Sequence, residues 1–220
     1  MPLVTALLLG MQHALEVDHL VAVTTFVSRR PALRAAAGFG ARWGFGHATA
    51  VLVFGGVLLL TGVRLAPRFQ ALGELLVGVM LLFLGARAMR SARRMHLHAP
   101  ALLHAHDADA TEPHTHPHGT PGAGVTWVGL THGLAGTSAV VALVPALVGS
   151  RVEGFGYLLV FGLGTMAAMS AAAVAAALAV RRAQRTSLAW ARTVTLVVGG
   201  AALAVGAVWV VRSGAAVLRG

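Results

Sequence analysis

The stretch LVTALLLGMQHALEVDHLVAVTTFV, residues 3–27, has the length and apolar character of a helix that crosses a bilayer. Its centre nevertheless carries four ionisable residues within seven positions: His13, Glu16, Asp18 and His19. On insertion scales, an acidic or basic side chain at membrane depth costs about 2.5–3.5 kcal/mol. We therefore expect a compensating partner for these side chains, either a metal ion or a proton.

The composition indicates an all-α integral membrane protein. Of the 220 residues, 57% are hydrophobic and only 11% are charged, which is too apolar for a soluble globular domain. No basic residue precedes the first apolar run, so it is interpreted as a true span and not as a secretory signal. The sequence predicts six transmembrane helices, at residues 3–27, 37–61, 70–88, 125–148, 155–180 and 193–211.

Cysteine and charge content exclude several classes of protein. The chain has no cysteine, which excludes disulfides, thiolate metal sites and thiol redox chemistry. The net charge of +10 comes from arginines that cluster between the predicted spans, so we expect no nucleic-acid partner. Twelve of the arginines lie on one side, and the positive-inside rule then places the loops after spans 1, 3 and 5 in the cytoplasm. A multi-pass cell-membrane protein with both termini outside is predicted.

A histidine-rich linker divides the chain. Residues 91–124 separate a first membrane unit, residues 1–90, from a second, residues 125–220. The linker has no helical or strand periodicity and little to bury, so it is interpreted as a cytoplasmic segment. Its imidazoles favour weak, exchangeable capture of metal, with an inert solvated linker as the alternative. These histidines are His96, His98, His104, His106, His114, His116 and His118.

The two membrane units resemble each other in sequence. G10-M-Q-H-A-L aligns with G129-L-T-H-G-L, and W43-G-F-G-H aligns with F161-G-L-G-T, at offsets of 119 and 118. Gly78 and Gly85 align with Gly199 and Gly206 at an offset of 121. Three spans per unit would place the second unit upside down in the membrane. The sequence thus predicts two inverted three-helix repeats, with a substrate site near the midplane where they meet.

Helical geometry limits how the first-span residues can share one ion. At 100° per residue, His13, Glu16 and His19 fall within about a third of the circumference, while Asp18 points away. Either the helix unwinds locally, or Asp18 supports the ligands from behind or pairs with a histidine of another span. The candidates for such pairing are His47 and His132. A proton relay through the same residues is the main alternative to a metal site.

Other intramembrane polar residues have plainer interpretations. His132, taken alone, is as well explained by a hydrogen bond between helices as by metal binding. Glu74 is expected near a span end, reaching lipid headgroups or pairing with Arg64 or Arg68. Trp127 and Trp190 are interpreted as interfacial anchors.

The motif H-A-x-E-x-D-H in the first span and G-F-G-H-A-T-A-V in the second resemble the nickel/cobalt transporter family of bacterial and fungal permeases. That family is marked by a His, four residues and Asp-His, and then by a Gly-His pair followed by a small residue. His13, Asp18, His19 and His47 match it, and Glu16 stands where the family commonly has Asp. Residues 129–139 are similar to the shorter, six-span branch linked to urease accessory and hydrogenase-associated permeases. The acidic second-half motif of longer members is absent, because residues 165–169 are uncharged.

The resemblance implies transport of Ni(II) or Co(II) by alternating access, without ATP hydrolysis in this chain. The implied metal ligands are His13, Asp18, His19 and His47, with Glu16 and His132 as further candidates. The expected partners are the metal ion, the lipid bilayer and a cytoplasmic metallochaperone or metalloenzyme maturation protein. The protein is expected not to be an enzyme and to need no cofactor. Three alternatives stay open: an efflux protein of the same fold, a membrane-anchored metal-binding accessory or sensor subunit, and an intramembrane metalloenzyme. The last is disfavoured because no H-E-x-x-H-like arrangement is present.

Overall fold

The protein is a helical membrane protein. The computed structural model describes residues 2–27, 32–63, 66–94, 124–135, 148–186 and 188–219, and the regular secondary structure of these residues is entirely helical. The helices are α1 Pro2–His13, α2 Val17–Val27, α3 Leu33–Thr61, α4 Pro67–Arg94, α5 124–135, α6 Arg151–Thr186 and α7 Leu188–Arg219. Helices α3, α4, α6 and α7 are each long and apolar enough to cross a membrane, and α1 with α2 forms a bent pair that counts as a fifth candidate span.

The helices differ from the predicted spans at their ends. The prediction placed one span at residues 155–180, whereas α6 runs from Arg151 to Thr186, because a helix continues past its apolar stretch into the headgroup region. Only residues 125–135 and 148 of the predicted fourth span, 125–148, are described. Residues 95–123, which hold the seven linker histidines, lie outside the described residues.

The first predicted span is two helices that meet at an angle of 56°. After His13 the chain leaves the α-helical hydrogen-bond pattern: the amides of Leu15 and Glu16 donate to the carbonyls of Gln12 and His13, three residues back. Such tight bonds satisfy the last carbonyls of an ending helix. The Glu16 carbonyl then accepts from Leu20 and begins α2. Local unwinding, one of the two expected solutions for Asp18, is therefore what the structure contains.

Several helix ends have the local chemistry that terminates or starts a helix. Pro67 opens α4, where its missing amide hydrogen costs nothing. Gly62 ends α3 in the left-handed conformation, with φ of 69°, and its amide donates to Leu58. At the start of α6, the Glu153 amide donates to Ser150 Oγ while the Glu153 carboxylate accepts from the Gly149 amide. This reciprocal arrangement closely resembles a capping box.

Small residues bring the long helices into backbone contact. Helices α3 and α6 run antiparallel: a Cβ at Gly44 would lie 2.6 Å from Met166 Cα, and one at Gly40 would lie 2.7 Å from the Met169 carbonyl. Helices α4 and α7 do the same through the pairs Gly78–Gly206 and Gly85–Gly199. Close backbone approach of this kind is how helices associate where the solvent is itself apolar.

The same type of contact recurs where α1 meets α6 and where α5 meets α3. A Cβ at Gly10 would lie 2.1 Å from the Phe161 carbonyl oxygen, and a Cβ at Gly129 would lie 2.1 Å from the Trp43 carbonyl oxygen. A further pair of contacts joins Gly164 to Leu7 and Gly46 to Thr126. These contacts correspond in pairs when each residue is replaced by the residue aligned with it in the sequence. Gly10–Phe161 corresponds to Gly129–Trp43, and Gly164–Leu7 corresponds to Gly46–Thr126.

Candidate metal centre

The break between α1 and α2 gathers imidazoles that one straight helix could not present together. His13 ends α1, His19 lies in the first turns of α2, and His47 faces them from α3. One ring nitrogen from each of the three lies within 4.8 Å of the others. Nitrogens bound to one ion at about 2.1 Å are at most about 4.2 Å apart, so small side-chain rotations suffice to bring the three around a common ion. We call His13, His19 and His47 the imidazole triad.

Carboxylates hold two of the triad imidazoles in place. His13 Nδ1 lies 3.0 Å from Glu16 Oε1, and His19 Nδ1 lies 3.2 Å from Asp18 Oδ1. A carboxylate accepts, so Nδ1 carries the proton in each pair, and Nε2 is then left with a free lone pair. Among the described residues, both Nε2 atoms are buried and without a hydrogen-bond partner.

His47 is the most enclosed member of the triad. Its side chain is fully buried, and among the described residues neither of its ring nitrogens has a hydrogen-bond partner. Buried polar atoms normally find partners, so two unmet nitrogens on one ring indicate a place for a ligand. Gly129 and Gly133 allow α5 to approach the backbone at this point, since a Cβ at either would lie within 3.0 Å of a His47 backbone atom.

Asp18 joins the two membrane units. Its Oδ2 lies 3.1 Å from His132 Nε2 on α5, 114 positions along the chain, while Oδ1 contacts His19. Asp18, His19 and His132 are all buried and form a second group whose ligating atoms lie within 4.8 Å of one another. Of the two expected partners for Asp18, His132 is thus found in contact with it. His19 belongs to both groups.

A cavity of about 320 Å³ adjoins the triad. It is bounded by parts of α1, α2, α4, α5, α6 and α7, and the Glu16 side chain, 56% exposed, lies at its edge. Among the residues that line it in the described part of the chain, none is Arg or Lys. The polar lining consists of Gln12, His13, Glu16, Asp18, His19, Glu74, His132 and Tyr157.

Glu74 has a partner that the sequence did not predict. Its carboxylate lines the cavity and accepts a hydrogen bond from Ser213 Oγ of α7, at 2.9 Å. The ion pairs of the described residues do not include one between Glu74 and Arg68, and Arg64 lies outside the described residues. The residue lies on the face of α4 that meets α7, and this face follows from tertiary packing. Gln12, Tyr157 and Trp209 also line the cavity and were not anticipated. Only the isolated polarity of Gln12 in an apolar run could have suggested one of them.

The remaining predicted site residues are placed as follows. Glu16 contacts His13 but belongs to neither group of mutually close ligating atoms found in the described chain. His132 contacts Asp18 and lies beside His19, with ring centroids 4.2 Å apart. The structure therefore brings together all six candidate residues of the membrane part, four of them buried. The capture role assigned to the linker histidines stays a prediction.

Comparisons with known proteins place this chain in a family. A family model described as "Cytochrome C biogenesis protein transmembrane region" matches residues 22–202. The urease accessory protein UreH of Bacillus sp. (strain TB-90) is 34% identical over 161 residues, covering 73% of this chain and 69% of that protein. No solved structure matches the chain.

Two relatives come from Arabidopsis thaliana. Chloroplast protein FOR GROWTH AND FERTILITY 1 is 30% identical over 174 residues, and Chloroplast protein FOR GROWTH AND FERTILITY 2 is 32% identical over 154 residues. These alignments cover 75% and 69% of this chain but only 46% and 40% of the plant proteins. Because the family model spans most of the sequence, this chain belongs to the family described as the cytochrome c biogenesis protein transmembrane region.

Proposed function

We propose that the protein transports a divalent transition-metal ion, Ni(II) or Co(II), across the membrane. The observation that carries the proposal is the imidazole triad at the break between α1 and α2. Its ring nitrogens are mutually close, and its Nε2 atoms are buried and have no hydrogen-bond partner among the described residues. Three imidazoles without a thiolate suit borderline divalent ions better than Cu(I) or the hard ions Mg²⁺ and Ca²⁺. The ion is substrate here, not a resident cofactor, and we propose no catalytic role for the chain.

Nickel and cobalt are favoured by the resemblance of the first two motifs to nickel/cobalt transporters. The similarity to a urease accessory protein supports the same choice, since that resemblance pointed to a branch linked to urease accessory permeases. The family's printed description names cytochrome c biogenesis. These 220 residues contain no cysteine, so they cannot themselves carry out thiol–disulfide exchange.

The carboxylates complete the proposed site. A dication among neutral imidazoles in a low-dielectric interior needs negative charge nearby. Asp18 supplies it from behind His19 and His132, and Glu16 supplies it from behind His13. Carboxylates in this position also orient the ring and raise the basicity of the ligating nitrogen. Asp18 and Glu16 are therefore assigned supporting roles, and His132 is the fourth imidazole within reach.

We further infer two inverted three-span repeats that rock around this site. The reciprocal contacts support it: the pair Gly10–Phe161 becomes the pair Gly129–Trp43 when each residue is replaced by its aligned partner, and Gly78–Gly206 becomes Gly199–Gly85. A two-fold axis produces this exchange. Six spans, a cell-membrane location, both termini outside and a cytoplasmic linker complete the proposal, with alternating access as its mechanism.

The test is uptake of radiolabelled Ni(II) into proteoliposomes that contain the purified full chain. We expect saturable flux, competition by Co(II), and loss of at least about 90% of the flux in His13→Ala, because even the loss of a residue that supports a metal ligand weakens binding by about 10–100-fold. Met11→Ala, two residues away and exposed, is the matched control and should transport as the native chain does.

Other results would point to other functions. Equal flux in His13→Ala and in the native chain would contradict the triad as the transport site. Tight Ni(II) binding without flux in either direction would favour the accessory or sensor subunit. Flux only out of vesicles oriented like cells would favour the efflux protein.

A further inference from the structure

Among the described residues that line the cavity, Glu74 is the one carboxylate without a contact to a histidine of the site. Glu16 and Asp18 each contact a histidine of the site, whereas Glu74 contacts Ser213 Oγ on α7. Ser213 is buried, so its hydroxyl fixes the Glu74 carboxylate at the α4–α7 seam. A carboxylate held towards the interior of a membrane protein marks an ion pathway more often than a packing contact.

The size of the cavity indicates the form in which an ion would enter it. A water molecule takes about 30 Å³, so an ion with six first-shell waters needs roughly 180 Å³. The cavity measures about 320 Å³, enough for the hydrated ion, whereas the triad offers three ring nitrogens within 4.8 Å of one another that would replace waters of that shell. The cavity therefore suits the hydrated ion, and the imidazole triad suits the same ion after it has lost water.

The charge and the chemistry of the lining indicate a cation. Three carboxylates border the cavity, and in the described part of the chain no Arg or Lys does so. His19, 1% exposed, borders both the cavity and the triad, and its buried Nε2 has no hydrogen-bond partner among the described residues. A residue that lines this acidic cavity therefore carries a buried ring nitrogen that could bind a metal ion.

We propose that this cavity captures the hydrated divalent cation and that Glu74 is the residue that attracts it before it passes to the imidazole triad. This inference rests on the proposed function and adds a second site to it. Glu74 acts through its charge and does not ligate the dehydrated ion. The cleft geometry focuses that charge, which raises the rate at which cations arrive.

The test is stopped-flow binding of Co(II) to the detergent-solubilised full chain, followed by Co(II) absorption. In Glu74→Gln we expect the association rate constant to fall about tenfold at low ionic strength. The difference should shrink as salt screens the charge. The dissociation rate and the final absorption spectrum should match those of the native chain.

Two control variants separate charge from structure. Glu153→Gln makes the same change at the α6 capping box, where Gln is also accepted, and should bind Co(II) at the native rate. Ser213→Ala keeps the Glu74 charge and should stay within about twofold of the native rate, since focusing depends on charge.

Either of two results would overturn the proposal: native association in Glu74→Gln, or equal slowing in Glu74→Gln and Ser213→Ala. A native chain that binds no Co(II) would instead overturn the proposed function itself.

Discussion

The two membrane units pack in the same way but differ in chemistry. Gly10 and Gly129 make matching contacts with the carbonyls of Phe161 and Trp43. At the positions aligned by the sequence offsets, however, His47 of α3 corresponds to Thr165 of α6. His47 is buried with both ring nitrogens unmet among the described residues, whereas the Thr165 hydroxyl donates to the carbonyls of Gly10 and Phe161. The glycine contacts are thus shared between the two units, whereas most of the candidate metal ligands lie in the first unit.

A scaffold whose two units are similar in sequence can therefore carry a candidate site that is asymmetric. His13 and His132 occupy aligned positions, yet His13 belongs to the triad and His132 to the group around Asp18. The second unit contributes one imidazole and part of the cavity wall. The first unit supplies every carboxylate that lines the cavity in the described chain.

The largest effect is expected where the two units are alike. Gly10→Val and Gly129→Val should both prevent correct folding, because each new Cβ would lie 2.1 Å from a backbone oxygen that no side-chain rotation can move. We expect a loss of about 3 kcal/mol or more in each variant. The measurement is the monodisperse fraction on size exclusion and the thermal midpoint in detergent.

The control for this pair is Gly200→Val on α7, where no atom of the described residues outside the local helix lies within 4 Å of an added Cβ. It should remain folded. A folded Gly129→Val beside a misfolded Gly10→Val would break the equivalence of the two contacts.

A large but asymmetric effect is expected at the aligned pair His47 and Thr165. His47→Leu keeps a buried side chain of similar size but removes a ligand, so affinity for Ni(II) should fall at least about 100-fold. Thr165→Val removes only hydrogen bonds between and within helices, which are worth about 0.6 kcal/mol, and should leave affinity unchanged. Calorimetric titration with Ni(II) measures both. Equal affinity losses would mean that the α6 position takes part in binding.

The smallest effect is expected at Glu16, which aligns with Ala135 of the second unit. Glu16→Ala makes the first unit resemble the second at this position. Glu16 supports His13 from a side chain that is 56% exposed, so affinity for Ni(II) should fall by about tenfold, the low end of the range for residues that support a metal ligand. The same titration measures it, and Leu15→Ala, also exposed, is the control. A loss as large as that of His47→Leu would make Glu16 a direct ligand.

Much of the fold followed from sequence because membrane helices are specified locally. An apolar run of about 20 residues has to satisfy its own backbone hydrogen bonds in lipid, so helices such as α3 and α7 could be located from composition alone. Their ends were less predictable, since helices continue beyond the apolar run. The aligned glycines were visible in the sequence, but which glycine meets which carbonyl depends on how the helices cross.

The candidate site residues could be named from the sequence, but their geometry could not. His13, Asp18, His19 and His47 were identified because ionisable residues in an apolar run require an explanation. The pairing of Asp18 with His132 spans 114 positions, and that of Glu74 with Ser213 spans 139. No local pattern in the sequence reveals pairs so far apart, so the Ser213 partner of Glu74 was not anticipated.

The amino-acid sequence alone indicates a helical membrane protein, and it shows which ionisable side chains at membrane depth need a partner. Both conclusions follow from the free energy of transferring each residue into lipid. Three features are visible only in the tertiary structure: the angle of 56° between α1 and α2, the three imidazoles near this bend, and the position of Glu74 in the cavity lining. These features depend on packing between helices that are distant in the chain, and packing is a property of the whole assembly of helices.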